Sequence, residues 1–229
     1  MKKLLAVISI MTLVTPQSFA AGAWLEQVKG DVKIQQNKKD WVKASSGVEV
    51  HEGDQIKTGP KSTVILSLQK AKVSIYENSD FKLTEYNTKD GNMRTELGLE
   101  EGQLEANVQK LLENEKLEIV SPTNVAAVRG TQLFYLAFKL MGRPYTRTVV
   151  SEGLVKYCTL NRQTCVMVKE GEYATGDENS IIGPKKQEDE EDLTNTEDQT
   201  GFDQEAAHAQ ENPEQFNPPS SSDSSSQNT

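Results

Sequence analysis

GDQIKTGPKSTVILSLQ, residues 53–69, decides the fold class. Two turns, Gly53-Asp54 and Thr58-Gly59, lead into a run in which Val64, Leu66 and Leu68 fall on one side of an extended chain. Gly53 and Gly59 suit positive-φ turn positions, and the Asp54 carboxylate can accept hydrogen bonds from its own turn. A period of two bounded by such turns is the pattern of a half-buried β-strand.

The same pattern repeats outward in both directions. Val32 and Ile34 alternate in GDVKIQ, Val73 and Ile75 in KVSIYE, and Phe81 and Leu83 in DFKLTEY. Leu117 and Ile119 follow, then Leu133, Tyr135 and Ala137, then Val149, Leu154-Val155 and Val166-Val168. Glycine or Asn/Asp separates the runs, for example at Gly30, Gly47, Asp90-Gly91, Gly142, Gly153 and Gly171. Many short strands with frequent turns predict an all-β domain: a sandwich, a roll or a solenoid. One run differs. Leu104, Val108, Leu111 and Leu112 in LEANVQKLLENEKLE stand at helical spacing, so a strand to about Val108 followed by a short helical or loop connection is expected.

The two ends carry no such pattern. Residues 1–20 combine Lys2 and Lys3, an apolar run from Leu4 to Val14, Pro16, and the small residues of Ser18-Phe19-Ala20, which is the pattern of a signal peptide cleaved near Ala20/Ala21. The apolar run is shorter than the roughly 20 residues a membrane span needs. No Cys follows the cleavage point to carry a lipid. The sequence thus predicts an exported, periplasmic or secreted protein without a transmembrane helix in its mature chain. LFYLAFKL, residues 133–140, is short and contains Lys139, and it is expected to be a buried strand.

Charge marks the other boundary. From Lys185 onward 12 carboxylates face 2 lysines, a local charge of −10, which leaves about +1 of the chain's −9 for everything before it. The segment 185–229 is acidic, rich in Ser and Pro and poor in large apolar residues, so it cannot offset its ordering entropy and is expected to be a disordered spacer. Residues 21–184 remain as one domain large enough for a proper core. The near-neutral body argues against nucleic acid, which requires a basic footprint.

Cys158 and Cys165, with six residues between them, flank a turn centred on Asn161 and Arg162. In an exported chain such a pair is expected to be a disulfide staple. Closing a loop that short stabilises by roughly 2–2.5 kcal/mol in the chain-entropy model. A CxxC spacing and a neighbouring His, which redox or metal chemistry would call for, are both missing. His51 sits in a turn and His208 in the acidic segment, and there is no Gly-x-Ser-x-Gly, P-loop or GxGxxG. No catalytic, cofactor-binding or metal-binding residue is assigned, and the reading is of a protein that is not an enzyme.

Two further blocks, EGQLEANV at 101–108 and SPTNVAAVRGT at 121–131, follow the first in fixed order. With Gly53-Asp54, Thr58-Gly59 and Ser62, with Gly102, Leu104 and Val108, and with Pro122, Ala126, Ala127, Val128, Arg129, Gly130 and Thr131, the body resembles the FecR domain family from about Trp24 to Thr175. Where many members carry a Gly-Ser turn after the buried strand, this chain has Gln69-Lys70-Ala71-Lys72.

The family's namesake relays a signal from an outer-membrane iron-siderophore transporter to a cytoplasmic sigma factor. That relay needs a membrane helix ahead of the domain, where this chain shows a signal-peptide pattern. The resemblance therefore implies a stand-alone exported module that binds an envelope protein as an interaction or scaffold domain. Alternatives are peptidoglycan or polysaccharide binding, and a signalling accessory related to FecR-type transport regulation.

Three residues are candidates for recognition. Gly130 fits a bend that would aim Arg129 away from its neighbours, toward either a structural carboxylate or a ligand. Trp24 and Trp41 are the only indoles able to stack on sugars, or else pack against the strands.

Overall fold

The computed structural model describes residues 22–88 and 92–187, and among them regular structure consists of 17 strands and no helix. The segment expected to be a signal peptide and residues 188–229 of the expected tail lie outside the described residues. The expected domain boundary at 184 needs correction, because Lys185 and Lys186 still belong to the last strand, which pairs with its neighbour through them.

The strands form two layers. The first runs, in lateral order, β4 (Glu49–Val50), β1 (Ala23–Lys29), β6 (Thr63–Ser67), β7 (Ala71–Ile75), the second half of β9 (Arg94–Val108), β12 (Thr131–Leu140), β13 (Arg143–Glu152), β16 (Glu172–Gly176) and β17 (Ile181–Lys186). The second runs β3 (Val42–Lys43), β2 (Val32–Gln35), β5 (Gln55–Thr58), β8 (Asp80–Asn87), the first half of β9, β10 (Lys116–Val120), β11 (Asn124–Val128), β14 (Leu154–Thr159) and β15 (Cys165–Lys169). Neighbours are antiparallel except β9 and β10.

β9 makes the two layers one continuous sheet. Its first half pairs with β8 and β10, its second with β7 and β12, and the chain crosses between layers at Gly102. Gly102 has φ +102°, and a Cβ there would lie 2.5 Å from the Ser79 Cα. The crossing therefore demands glycine on both conformational and steric grounds. Hairpins alternate between layers as the chain advances from the β3/β4 edge to the β15/β17 edge, so the architecture is a sandwich with solenoid-like progression.

The alternating residues fill the space between the layers. Val64, Leu66, Val73, Ile75, Leu104 and Ala106 from the first layer meet Val32, Ile34, Ile56, Phe81, Leu83, Leu97 and Leu99 from the second, all within 1% of full burial. Each side chain so buried contributes about 1.5–3 kcal/mol of hydrophobic stabilisation.

One local expectation is met in one of its two forms, and another needs correction. The strand runs to Val108 as expected, and the connection after it is a loop, not a helix. Residues 109–115 form a loop held by a Lys70–Glu115 ion pair at 2.6 Å and by hydrogen bonds from Gln109 N to Lys70 O (2.9 Å) and from Leu112 N to Glu115 Oε2 (2.7 Å). Leu111 is buried while Leu112 is 58% exposed. Strand pairing on both sides of Leu104–Val108 fixes a period of two and overrides the helical spacing. In the turn before β6 the positive φ falls on Lys61 (+54°), not on Gly59, whose missing Cβ instead gives room to Asp31.

Candidate functional site

The first block is a hydrogen-bond hub. Asp54 is fully buried; its carboxylate accepts from His51 N (2.9 Å), Asn37 N (3.1 Å) and the Gln36 side chain (3.1 Å), tying its own turn to the one at Gln36-Asn37. Ser62 Oγ accepts from Asp31 N at 2.8 Å, and Thr58 Oγ1 accepts from Ser79 N at 2.9 Å. These side chains saturate backbone donors that burial would otherwise leave unpaired. His51 lies 3.6 Å from Asp54 and 3.8 Å from Glu49, both carboxylates, and stays half-exposed.

SPTNVAAVRGT does two jobs. Its start lines a polar pocket of the core. Ser121 Oγ and Thr146 Oγ1 lie 2.6 Å apart, and Thr123 Oγ1 lies 2.8 Å from the same Thr146 hydroxyl. Tyr135 donates to Asn124 O at 2.9 Å, and Tyr157 donates to Thr146 O at 2.7 Å. Burial pushes both phenols far up, so each remains a neutral donor.

Its end makes the expected bend at Gly130 (φ +65°), against which Gly153 packs so closely that a Cβ would fall 2.6 Å from Gly130 O. Arg129 does not meet a carboxylate. Its Nε donates to Leu111 O at 2.9 Å, which fastens the 109–115 loop under the bend. Ala126 is buried between the layers, whereas Ala127 lies outward between Glu118 and Lys156.

The cysteines are joined as expected: Cys158 and Cys165 form a disulfide across the β14–β15 hairpin. Arg162 at the hairpin tip makes a two-pronged contact with Glu118 on β10, both arms 2.9 Å, and Lys116 adds a third at 2.9 Å. Burial alone would raise the Glu118 carboxyl, but the Arg162 and Lys116 hydrogen bonds and charges outweigh it and hold the group below its ordinary value.

What the sequence reading did not assign is an apolar outward face on the first layer. Leu133, Tyr135 and Ala137 of β12 point inward, while Phe134, Leu136 and Phe138 point out and remain half-exposed. Tyr76 stacks on Phe134 with ring centres 6.4 Å apart, and Tyr145 stacks on Phe138 at 5.9 Å. Glu105 accepts from Tyr76 Oη and Gln132 Nε2, each at 2.8 Å; burial, aided by this carboxylate, pushes the Tyr76 phenol up to about 12. Beside Phe138 and Tyr145 lies a shallow groove of about 400 Å³, with Pro122, Pro144, Glu100 and Glu101 in its walls. The doubly apolar run LFYLAFKL was the available signal, since its even positions are as apolar as its odd ones.

Residues 54–156 match the family model described as FecR protein. Over that span the chain is similar to a FecR domain. That span reaches from the Asp54 hub to β14 and takes in the three sequence blocks, apart from Gly53, and the aromatic face of β12–β13. Two crystal structures of a candidate anti-sigma factor from Parabacteroides distasonis ATCC 8503, at 1.65 and 2.50 Å, resemble the chain with TM-scores of 0.47 and 0.46 at 14% identity. Each comparison covers 56% of this chain and 57% of the other, little more than half the length of those proteins. No curated protein matches the chain.

Across the matched span and its N-terminal lead-in, the three recognition candidates do not converge. Trp24 stands on β1 of the first layer, paired across from Glu49 and Ser67. Trp41 lies by the second layer, with the Lys57 ammonium 5.1 Å from its ring centre. Arg129 sits at the loop seam. Among the described residues, no cluster of three His, Cys, Asp or Glu is arranged to hold a metal, and no helix is long and apolar enough to cross a membrane.

Proposed function

We propose that this protein is a non-catalytic protein-interaction module of the cell envelope, and that the outward face of β12–β13 is its contact surface. One observation carries this reading. The solvent side of an antiparallel sheet is ordinarily polar, yet here Tyr76, Phe134, Leu136, Phe138 and Tyr145 form an uncovered strip. Aromatic side chains with Arg147 and Gln132 among them are the composition of an interface core. The FecR match supports a regulatory setting with protein partners, and the disulfide fits an oxidising compartment. A signalling accessory would use the same surface.

Photocrosslinking from position 136 in intact envelopes tests the proposal. A discrete protein adduct is expected, and Phe138→Ser should abolish it without moving the melting temperature. Adducts forming equally from position 33, on the opposite layer, would overturn the assignment. Pelleting of the protein with purified sacculi in place of any protein adduct would select the glycan alternative.

A further inference from the structure

The outward side of β14–β15, at the other edge of the second layer, is patterned in a way the protein-partner reading does not use. Its cross-strand rungs are Leu154 with Lys169, Lys156 with Met167, and Cys158 with Cys165. Each of the first two rungs sets one cation beside one apolar side chain, and the cation changes strand from one rung to the next. Leu154 and Met167 are 43% and 45% exposed. Lys156 and Lys169 are exposed too, and neither has an ionic partner among the described residues. β15 is also the edge of its layer, which leaves this patch open to adventitious pairing.

The chain itself returns to this edge. Gln187, the last described residue, donates its N–H to Gly171 O at 2.9 Å, in the turn that follows Lys169. The next six residues read EDEEDL, five carboxylates and then Leu193. Five adjacent carboxylates repel one another and gain from any row of cations within reach.

We propose that residues 188–193 lie across the outward face of β14–β15, their carboxylates on Lys169 and Lys156 and Leu193 on the Leu154–Met167 pair. The reach is sufficient. Six extended residues span about 20 Å, whereas the two rungs lie about 7 Å apart along the strands. The contact is electrostatic and not an added strand, because Asp and Glu are poor strand formers. It shields the open edge, and an acidic partner segment seeking the same lysines must displace it. Salt weakens it, since the Debye length falls to about 3 Å at 1 M.

Carbodiimide crosslinking of the full, disulfide-bonded chain at high dilution tests the contact. Crosslinks are expected from residues 188–192 to Lys156 and Lys169, and not to Lys33 or Lys43, which are exposed at the far edge of the same layer. They should drop in 1 M NaCl. Independently, peroxide should oxidise Met167 about threefold more slowly in the native chain than in a full-length variant carrying E188Q, D189N, E190Q, E191Q and D192N. Crosslinks spread evenly over Lys33, Lys43, Lys156 and Lys169 would overturn the proposal, as would equal oxidation rates. Crosslinks found only between differently isotope-labelled copies would reassign the face to a second chain and overturn it as well. None of these outcomes depends on the strip of β12–β13.

Discussion

In the N-terminal half of the sandwich the layers meet mainly through hydrocarbon: Val32, Ile34, Ile56, Val64, Leu66, Phe81 and Leu99 are all fully buried, and the side-chain hydrogen bonds of Asp54 and Ser62 stay in the turns at its rim. In the C-terminal half the same two layers enclose Ser121, Thr123, Asn124, Tyr135, Thr146 and Tyr157, joined by hydrogen bonds across the core. One half is held by area removed from water, with little directional demand. The other is held by a network in which every member constrains its neighbours, which specifies the relative placement of β11, β12, β13 and β14 more than it adds net stability. The β12–β13 part of the aromatic strip and the disulfide hairpin both sit on the second half, so most of the proposed contact surface stands on the more narrowly defined part of the frame.

The sharpest way to break this contrast is Phe81→Ala in the apolar half. The cavity should cost about 3–5 kcal/mol in denaturant unfolding, with the transition remaining cooperative. A loss below about 1 kcal/mol would mean that the apolar half is loosely packed and would void the comparison. Tyr135→Phe removes one hydroxyl from the polar half while keeping the ring. It should cost about 1 kcal/mol, and the side-chain environment of Tyr157, whose ring is 6.4 Å away, should change in NMR spectra. If spectra of the two halves shift equally, the network is not the local determinant inferred here.

The smallest effect is expected from Glu118→Gln, about 0.5 kcal/mol at neutral pH, because Arg162 is half-exposed and solvent screens much of the pair. Its sign with pH is fixed. A carboxyl held below its ordinary value in the folded state adds stability above its unfolded pKa of about 4.3, and that stability is lost as pH falls through the folded value. Native protein and variant should therefore converge in stability as pH drops through the carboxylate range; a gap that widens toward acid would contradict the assignment.

Legibility in the sequence followed the range of the forces involved. Strand positions could be read because alternation and turn residues act within a few residues: Val64, Leu66, Phe81 and Leu83 are buried where their period places them. The disulfide was readable for the same reason, since its ends lie only seven positions apart. Arg129 was not, because its acceptor is a main-chain carbonyl 18 residues away that any sequence could supply. Nor was the helical spacing after Leu104 a safe guide, since the run is paired on both sides by strands distant in the chain. Of the three recognition candidates, Arg129, Trp24 and Trp41, the two indoles were chosen by residue type. The strip that the fold assembles draws Phe134 from β12, Tyr145 from β13 and Tyr76 from the residue just after β7, and excludes both indoles.

By itself the amino-acid sequence determined the all-β class, the turn at Gly53-Asp54, the bend at Gly130 and the pairing of its cysteines, because each of these rests on contacts within a hairpin or a turn. Tertiary structure alone decided that β9 crosses from one layer to the other at Gly102, that β12 keeps one apolar side for the core and leaves the other to solvent, and that Arg162 closes on Glu118. Periodicity states which residues share a face of a strand. Which face is then covered depends on layers brought together from opposite ends of the chain.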